Sequence, residues 1–207
     1  MPLRSCAMPS RPCAMKSTLA RFVLQTLIWL PLTFTFWYFA APLLLWPAYF
    51  LTALIARGAF SDIVATVEIS GATLSFLTLL RPGTATGGGA ISVEVNLLLY
   101  AFGLPLFAAL TLAARNAHWI RTLLSGYLAL LPFIVWGALA DFLKNVAITA
   151  SPMVVSQTGF ASWQRELIAV AYQFGALILP AVAPAIIWVI LHRAYLERMR
   201  SLDSAVR

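Results

Sequence analysis

The sequence predicts an all-α integral membrane helical bundle with four transmembrane helices, one re-entrant or interfacial helix, and a small extracytoplasmic antiparallel β meander. Three observations lead to this prediction. The 207 residues are 61% hydrophobic and only 10% charged, which leaves too little polar surface for a water-soluble globule of this size. Long uncharged runs alternate with short basic segments. Residues 62–96 change instead to the two-residue period of β-strands.

The beginning of the chain divides into a tail, a crossing and a shorter helix. Residues 1–19 show no hydrophobic periodicity and are expected to be a disordered cytoplasmic tail. The uncharged run that follows is too long for one crossing, and Pro42 is expected to stop the first helix. Residues 20–40 therefore predict a transmembrane helix, and residues 43–57 an interfacial or re-entrant one that ends at Arg57.

The β meander is predicted from alternating apolar and polar side chains. Two runs show this alternation clearly, and their apolar members are Ala65, Val67 and Ile69, then Ile91, Val93 and Val95. A third strand is expected over residues 72–80, with a turn at Gly71 and a glycine-rich connection over residues 81–89. Because three short strands are marginal alone, the sheet is expected to rest on the interfacial helix or on a partner.

Two further crossings, residues 96–115 and 121–141, are separated by a basic turn. This arrangement obeys the positive-inside rule, because ten of the 14 Lys and Arg residues share one side when both termini and this turn are cytoplasmic. If residues 43–56 also crossed, the basic turn and the C-terminus would lie outside. Residues 20–200 therefore predict a single membrane domain, and residues 201–207 a cytoplasmic tail.

The last crossing, residues 165–192, is the most clearly marked. It contains 25 consecutive uncharged residues, and about 20 suffice to cross a hydrocarbon core of about 30 Å. Ser162 is the expected N-cap, and Glu166 lies in the first turn, where the helix dipole favours a carboxylate. Pro180 and Pro184 predict a kink, because neighbouring helices can satisfy freed carbonyls within a bilayer.

Residues able to carry out chemistry are few. Cys6 and Cys13 lie in the predicted tail, and His118 and His192 lie at helix ends without a carboxylate cluster. No catalytic, cofactor-binding or metal-binding residue and no cofactor is therefore expected. Nucleic acid is not an expected partner, because the basic residues lie between apolar spans rather than on a folded face. The crossings lack ionisable residues, which disfavours a coupled transporter.

Polar side chains gather at the predicted outer ends of the helices. This set, named here the outer rim, comprises Asn96, Tyr100, Asp141, Lys144, Trp163, Gln164, Arg165 and Glu166. Asp141 and Lys144 are three residues apart and share a helix face. Pairs between Arg165 and Asp141, or between Glu166 and Lys144, would join helix ends. The alternative is that the rim binds a membrane protein or a substrate tail, because exposed ion pairs alone stabilise little.

Short stretches over about residues 20–195 resemble one known family. They are Trp29–Leu32, Phe36–Tyr38, Ala41–Pro42, Glu94–Tyr100, Gly103–Leu106, Leu131–Phe133, Trp136–Gly137, Asp141–Lys144, Trp163–Leu167, Tyr172–Gln173 and Leu179–Pro180. In these stretches the chain resembles the exosortase H-associated membrane proteins. The resemblance implies a small multi-pass protein that assists exosortases, the bacterial membrane enzymes that process C-terminal sorting tails on exported proteins.

The functional expectation follows from this resemblance. Exosortases use a membrane-adjacent cysteine, which this chain lacks, so the resemblance implies a non-catalytic accessory protein of the bacterial inner membrane. Its expected partners are the lipid bilayer and a multi-pass exosortase, which the outer rim would contact. Two alternatives remain open: a membrane enzyme that uses Asp141 or Glu166 as an acid or base, and a small-solute permease subunit.

Overall fold

A computed structural model describes residues 13–81, 91–115, 118–193 and 197. The helices are α1 (Cys13–Leu44), α2 (Trp46–Ala59), α3 (Leu98–Ala101), α4 (Gly103–Ala113), α5 (Trp119–Lys144), α6 (Pro152–Gln157), α7 (Ser162–Gln173) and α8 (Leu179–Leu191). The strands are β1 (Val64–Ser70), β2 (Thr73–Thr78) and β3 (Ser92–Asn96). Two π-helical segments, Asn145–Thr149 and Phe174–Ile178, continue α5 and join α7 to α8.

Three helical stretches are long and apolar enough to cross a membrane, namely Ala20–Leu44, Trp119–Thr149 and Ser162–Leu191. They coincide with the first, third and fourth predicted crossings. The second predicted crossing forms a shorter apolar helix, Leu98–Ala113, which is interrupted at Phe102 between α3 and α4. Within the described residues, three helices thus reach membrane-spanning length rather than the four predicted.

The first helix is longer than expected at both ends. It begins at Cys13, so residues 13–19 are helical rather than part of a disordered tail; residues 1–12 and 201–207 lie outside the described residues. It also continues through Pro42 to Leu44. Pro42 removes a single backbone donor, and the helix tolerates that loss. The chain turns instead at Leu45, just before Pro47 in the first turn of α2, a position where the missing N–H would have no helical partner anyway.

The three strands form the expected antiparallel meander in the order β1-β2-β3. Gly71 adopts φ +61° in the turn between β1 and β2, a left-handed conformation that glycine adopts without a steric penalty. Residues 82–89 of the predicted glycine-rich connection lie outside the described residues. One face of the sheet packs on α5, where the ring of Phe76 stacks on that of Phe142 with centroids 4.4 Å apart.

The sheet also rests on α2, in agreement with the prediction. The Tyr49 hydroxyl donates to the Gly71 carbonyl at 3.0 Å, and Arg57 Nη2 donates to the Val67 carbonyl at 3.4 Å. Tyr49 is buried. These contacts join both ends of α2 to β1 and to the turn that follows it.

Alkaline pH is expected to weaken this attachment. Burial raises the pKa of Tyr49 from 10.0 to about 12, so the folded protein holds the phenolic proton more tightly than the unfolded chain. Its contribution to the free energy of unfolding is complete below pH 10 and is lost as the pH rises toward 12. Denaturant titrations at several pH values from 8 to 12 should show this decline. Tyr49→Phe should flatten it, and an unchanged decline in that variant would contradict the assignment to Tyr49.

Helix α4 lies among α1, α5 and α8 and packs against all three. The Thr33 hydroxyl of α1 donates to the Pro105 carbonyl at 3.0 Å. Gly126 of α5 allows close approach, because a β-carbon there would overlap the ring of Phe107. The bundle is thus held by close backbone approach and by few polar contacts, as is usual where lipid removes the hydrophobic drive between helices.

The final helical stretch begins differently from the expectation and contains a π-helical segment before Pro180. Ala161, not Ser162, occupies the N-cap position, and no side chain caps from there. The π-helical segment ends with the Leu179 N–H bonded to the Phe174 carbonyl, five residues back, directly before Pro180. A π-helical turn is a recognised way for a helix to adapt at an irregular site, and Pro180 then occupies the first turn of α8.

Candidate functional site

Asp141 is the centre of the polar contacts at the outer rim. Asp141 is 8% exposed, and the Lys144 ammonium lies 3.1 Å from its Oδ1. Asn145 Nδ2 donates to the same oxygen at 3.2 Å, and the Tyr100 side chain interacts electrostatically with this carboxylate. The buried charge is thus compensated by partners from α3, α5 and the first π-helical segment, as a buried carboxylate requires.

Lys144 extends these contacts to α7. Its Nζ lies 4.3 Å from the centroid of the Tyr172 ring, within the range of a cation–π interaction. We call Tyr100, Asp141, Lys144, Asn145 and Tyr172 the Asp141 cluster. It joins α3, α5 and α7 through one carboxylate and one ammonium. A substitution of either charged residue is therefore expected to affect the contacts of all three helices.

Two residues of α5 shape the space around the cluster. Gly137 lies one turn before Asp141, and a β-carbon there would overlap the Tyr100 ring. The neighbouring Trp136 donates from Nε1 to the Ala171 carbonyl at 3.3 Å. On the facing helix, a β-carbon at Gly175 would lie 3.0 Å from Trp136 and 3.1 Å from Gly137. The pair Trp136–Gly137 therefore positions both α3 and the α7–α8 stretch against α5.

The predicted pairs between Arg165 and Asp141 and between Glu166 and Lys144 are wrong. The shared face of Asp141 and Lys144 is confirmed, but these two residues pair with each other. The reason is geometric: Asp141 is turned into the bundle, where its own helix supplies the closest cation, and Glu166 is exposed.

Three other rim residues have local or no contacts. Asn96 Oδ1 accepts from the Leu98 N–H at 3.0 Å and so caps α3. Gln164 Oε1 accepts from the Ala161 N–H at 2.8 Å and caps α7. Trp163 is 65% exposed. The structure therefore does not bring these residues into the Asp141 cluster.

Arg165 and Glu166 line a groove of about 540 Å³ between α7 and the turn after α5. We call it the outer groove; its other lining residues are Ala147, Ile148, Ala150, Pro152, Val155, Ser162 and Ala169. Its floor is apolar. No ion pair within the described part of the chain involves either charge. A positive and a negative group thus stand without ionic partners beside an apolar surface.

Sequence reasoning missed two members of the cluster. Asn145 lies four residues after Asp141, a spacing that places both on one helix face and could have indicated it. Tyr172 follows Arg165 by two turns, but nothing in its spacing indicates that Lys144 lies over its ring. Where residues are described, no three His, Cys, Asp or Glu side chains come together in a way that could hold a metal ion.

Comparison with known protein families identifies a match over most of the chain. The family model described as exosortase H-associated membrane protein matches residues 16–195, a range that includes the Asp141 cluster and the outer groove. No curated protein and no solved structure matches the chain. The chain therefore belongs to the exosortase H-associated membrane proteins.

Proposed function

We propose that this protein is a non-catalytic accessory subunit of an exosortase-type system that sorts or processes C-terminally tagged exported proteins. The name of its family supports association with an exosortase. The observation that carries the proposed contact site is the outer groove, where Arg165 and Glu166 lie beside an apolar floor and have no ionic partner among the described residues. Such a surface matches a partner with an apolar ridge and two complementary charges.

The proposed setting is the bacterial inner membrane, with both termini in the cytoplasm. In this topology the stretch Leu98–Ala113 is a short fourth crossing. Its 16 residues would extend about 24 Å, and local thinning of the bilayer accommodates such a helix at modest cost. The β meander and the outer groove would then lie on the extracytoplasmic side. The distribution of Lys and Arg supports this orientation.

A charge swap tests the contact site. The double variant Arg165→Glu with Glu166→Arg keeps the net charge and leaves the Asp141 cluster untouched. We expect it to lower recovery of the exosortase in detergent pull-downs from native membranes by about tenfold, because like charges then face each other across the interface. Processing of sorting tails should fall in parallel.

The matched control is a second swap outside the rim, Glu68→Arg with Arg81→Glu. Both residues are exposed, and this variant also keeps the net charge. It should leave enzyme recovery unchanged. If the variant with Arg165→Glu and Glu166→Arg recovers as much exosortase as the wild type, the outer groove is not the contact site. If the wild type recovers no exosortase at all, the accessory function itself is contradicted.

A further inference from the structure

A second, larger cavity of about 630 Å³ lies between α1, α4 and α5. Apolar side chains form nearly all of its wall, along Trp29–Leu44 of α1, Leu104–Leu112 of α4 and Trp119–Tyr127 of α5. The two hydroxyl groups of the wall are already engaged: the Thr33 hydroxyl bonds to the Pro105 carbonyl, and the Tyr127 hydroxyl to the Leu44 carbonyl at 2.6 Å. Among the described residues, the buried Nε1 of Trp37 has no hydrogen-bond partner. The cavity therefore suits an apolar ligand.

The length of the cavity suits an extended hydrocarbon chain. Its wall follows α1 from Trp29 to Leu44, 15 residue steps that correspond to about 22 Å. A helix with its side chains is about 10–12 Å wide. An extended acyl chain is far thinner and can lie along this wall over its whole length.

Two arginines flank the turn between α4 and α5, close in sequence to residues that line this cavity. Arg115 follows the wall residue Leu112 by one turn, and Arg121 directly follows the wall residue Ile120. Both arginines are exposed. Arg115 has φ +48° and is the one non-glycine residue with positive φ among those described, a conformation that side chains with a β-carbon disfavour. Two cations thus flank the turn beside the apolar wall.

We propose that this cavity holds one acyl chain of an anionic membrane lipid, whose phosphate binds at Arg115 and Arg121. The apolar wall supplies the binding surface for the chain, and the two guanidinium groups supply charge complementarity for the headgroup. Each arginine near a phosphate is expected to favour the anionic lipid over a zwitterionic one by about fivefold. This site is separate from the outer groove and does not depend on the partner proposed there.

The amount and type of lipid that the protein retains tests both parts of the site, the cavity and the two arginines. The full-length protein is reconstituted in vesicles of equal parts phosphatidylglycerol and phosphatidylcholine, extracted in mild detergent and analysed by native mass spectrometry. The wild type should retain phosphatidylglycerol in preference to phosphatidylcholine. Arg115→Gln with Arg121→Gln should lower that preference by about fivefold for each arginine without lowering phosphatidylcholine retention. Ala108 lines the cavity, so the larger side chain of Ala108→Phe should occupy part of it and lower retention of both lipids.

Ala181→Phe is the matched control, because Ala181 is exposed on α8 and does not line the cavity. It should retain lipid as the wild type does. If Ala108→Phe fails to fold, Ala108→Leu provides the same comparison with a smaller side chain. Equal retention by a folded Ala108 variant and the wild type would overturn the cavity assignment. An unchanged lipid preference in the double arginine variant would overturn the headgroup assignment.

Discussion

Replacement of Asp141 by alanine is expected to lower the free energy of unfolding by about 2 kcal/mol. The carboxylate pairs with Lys144 and accepts a hydrogen bond from Asn145, and its loss leaves both donors without this acceptor. The cost is below the roughly 3–5 kcal/mol of a fully buried ion pair, because the Lys144 side chain is 24% exposed and can turn toward polar surroundings. Unfolding by SDS in mixed micelles, followed by tryptophan fluorescence, measures the change.

Two companion variants distinguish a structural role for Asp141 from a catalytic one. Glu166→Ala removes an exposed carboxylate of the same rim and should leave stability within about 0.5 kcal/mol of the wild type. Asp141→Asn keeps the size and one acceptor oxygen, so most of the stability should return while the charge is lost. If that variant folds normally but abolishes tail processing and still binds the exosortase, the membrane-enzyme alternative gains support. Equal stability of Asp141→Ala and the wild type would contradict the structural role.

Gly103→Ala is expected to destabilise the bundle by about 2 kcal/mol, although alanine ordinarily favours helices. A β-carbon at this first residue of α4 would lie 2.6 Å from Pro184 Cγ and 2.7 Å from the Pro180 carbonyl oxygen. One neighbour belongs to a proline ring and the other to the backbone, so neither can rotate away. The helices α4 and α8 must therefore separate, and the SDS unfolding midpoint should fall.

Gly58→Ala provides the opposite case within the same chain. This glycine lies near the end of α2, and a β-carbon there meets no atom within 4 Å. The variant should be as stable as the wild type or more stable by up to about 1 kcal/mol. If both glycine variants shifted the midpoint alike, the effect at Gly103 would not come from its contact with α8.

Periodicity and charge predicted much of the fold correctly. The two-residue alternation located the meander, and long uncharged runs located the three helices of spanning length. The predicted end of α1 near residue 40 is wrong, because a proline need not end an apolar helix, and α1 passes through Pro42. The break lies instead at Leu45, two residues before Pro47 in the first turn of α2.

The candidate site was predicted in part. The i, i+3 spacing of Asp141 and Lys144 indicated one face of a helix, and that shared face is confirmed, although the ion pair between the two residues was not predicted. The partners of Asp141 from other elements were not predicted, because they depend on which helix ends lie together. Tyr100 reaches the carboxylate only where Gly137 leaves space for its ring. That fit is a property of tertiary packing, so sequence spacing alone could not reveal it.

The π-helical segment Phe174–Ile178 determines how far the side-chain directions of α7 are rotated about the helix axis from those of α8. In an uninterrupted α-helix each residue turns by about 100°, so residues 172 and 180 would differ in direction by about 80°. One additional residue in a wider turn reduces that offset to about 20°. The side of the stretch that presents Tyr172 to Lys144 is thereby nearly the same side that presents Pro180 to Gly103. The irregular turn thus lets one long helix keep a single side toward two successive neighbours.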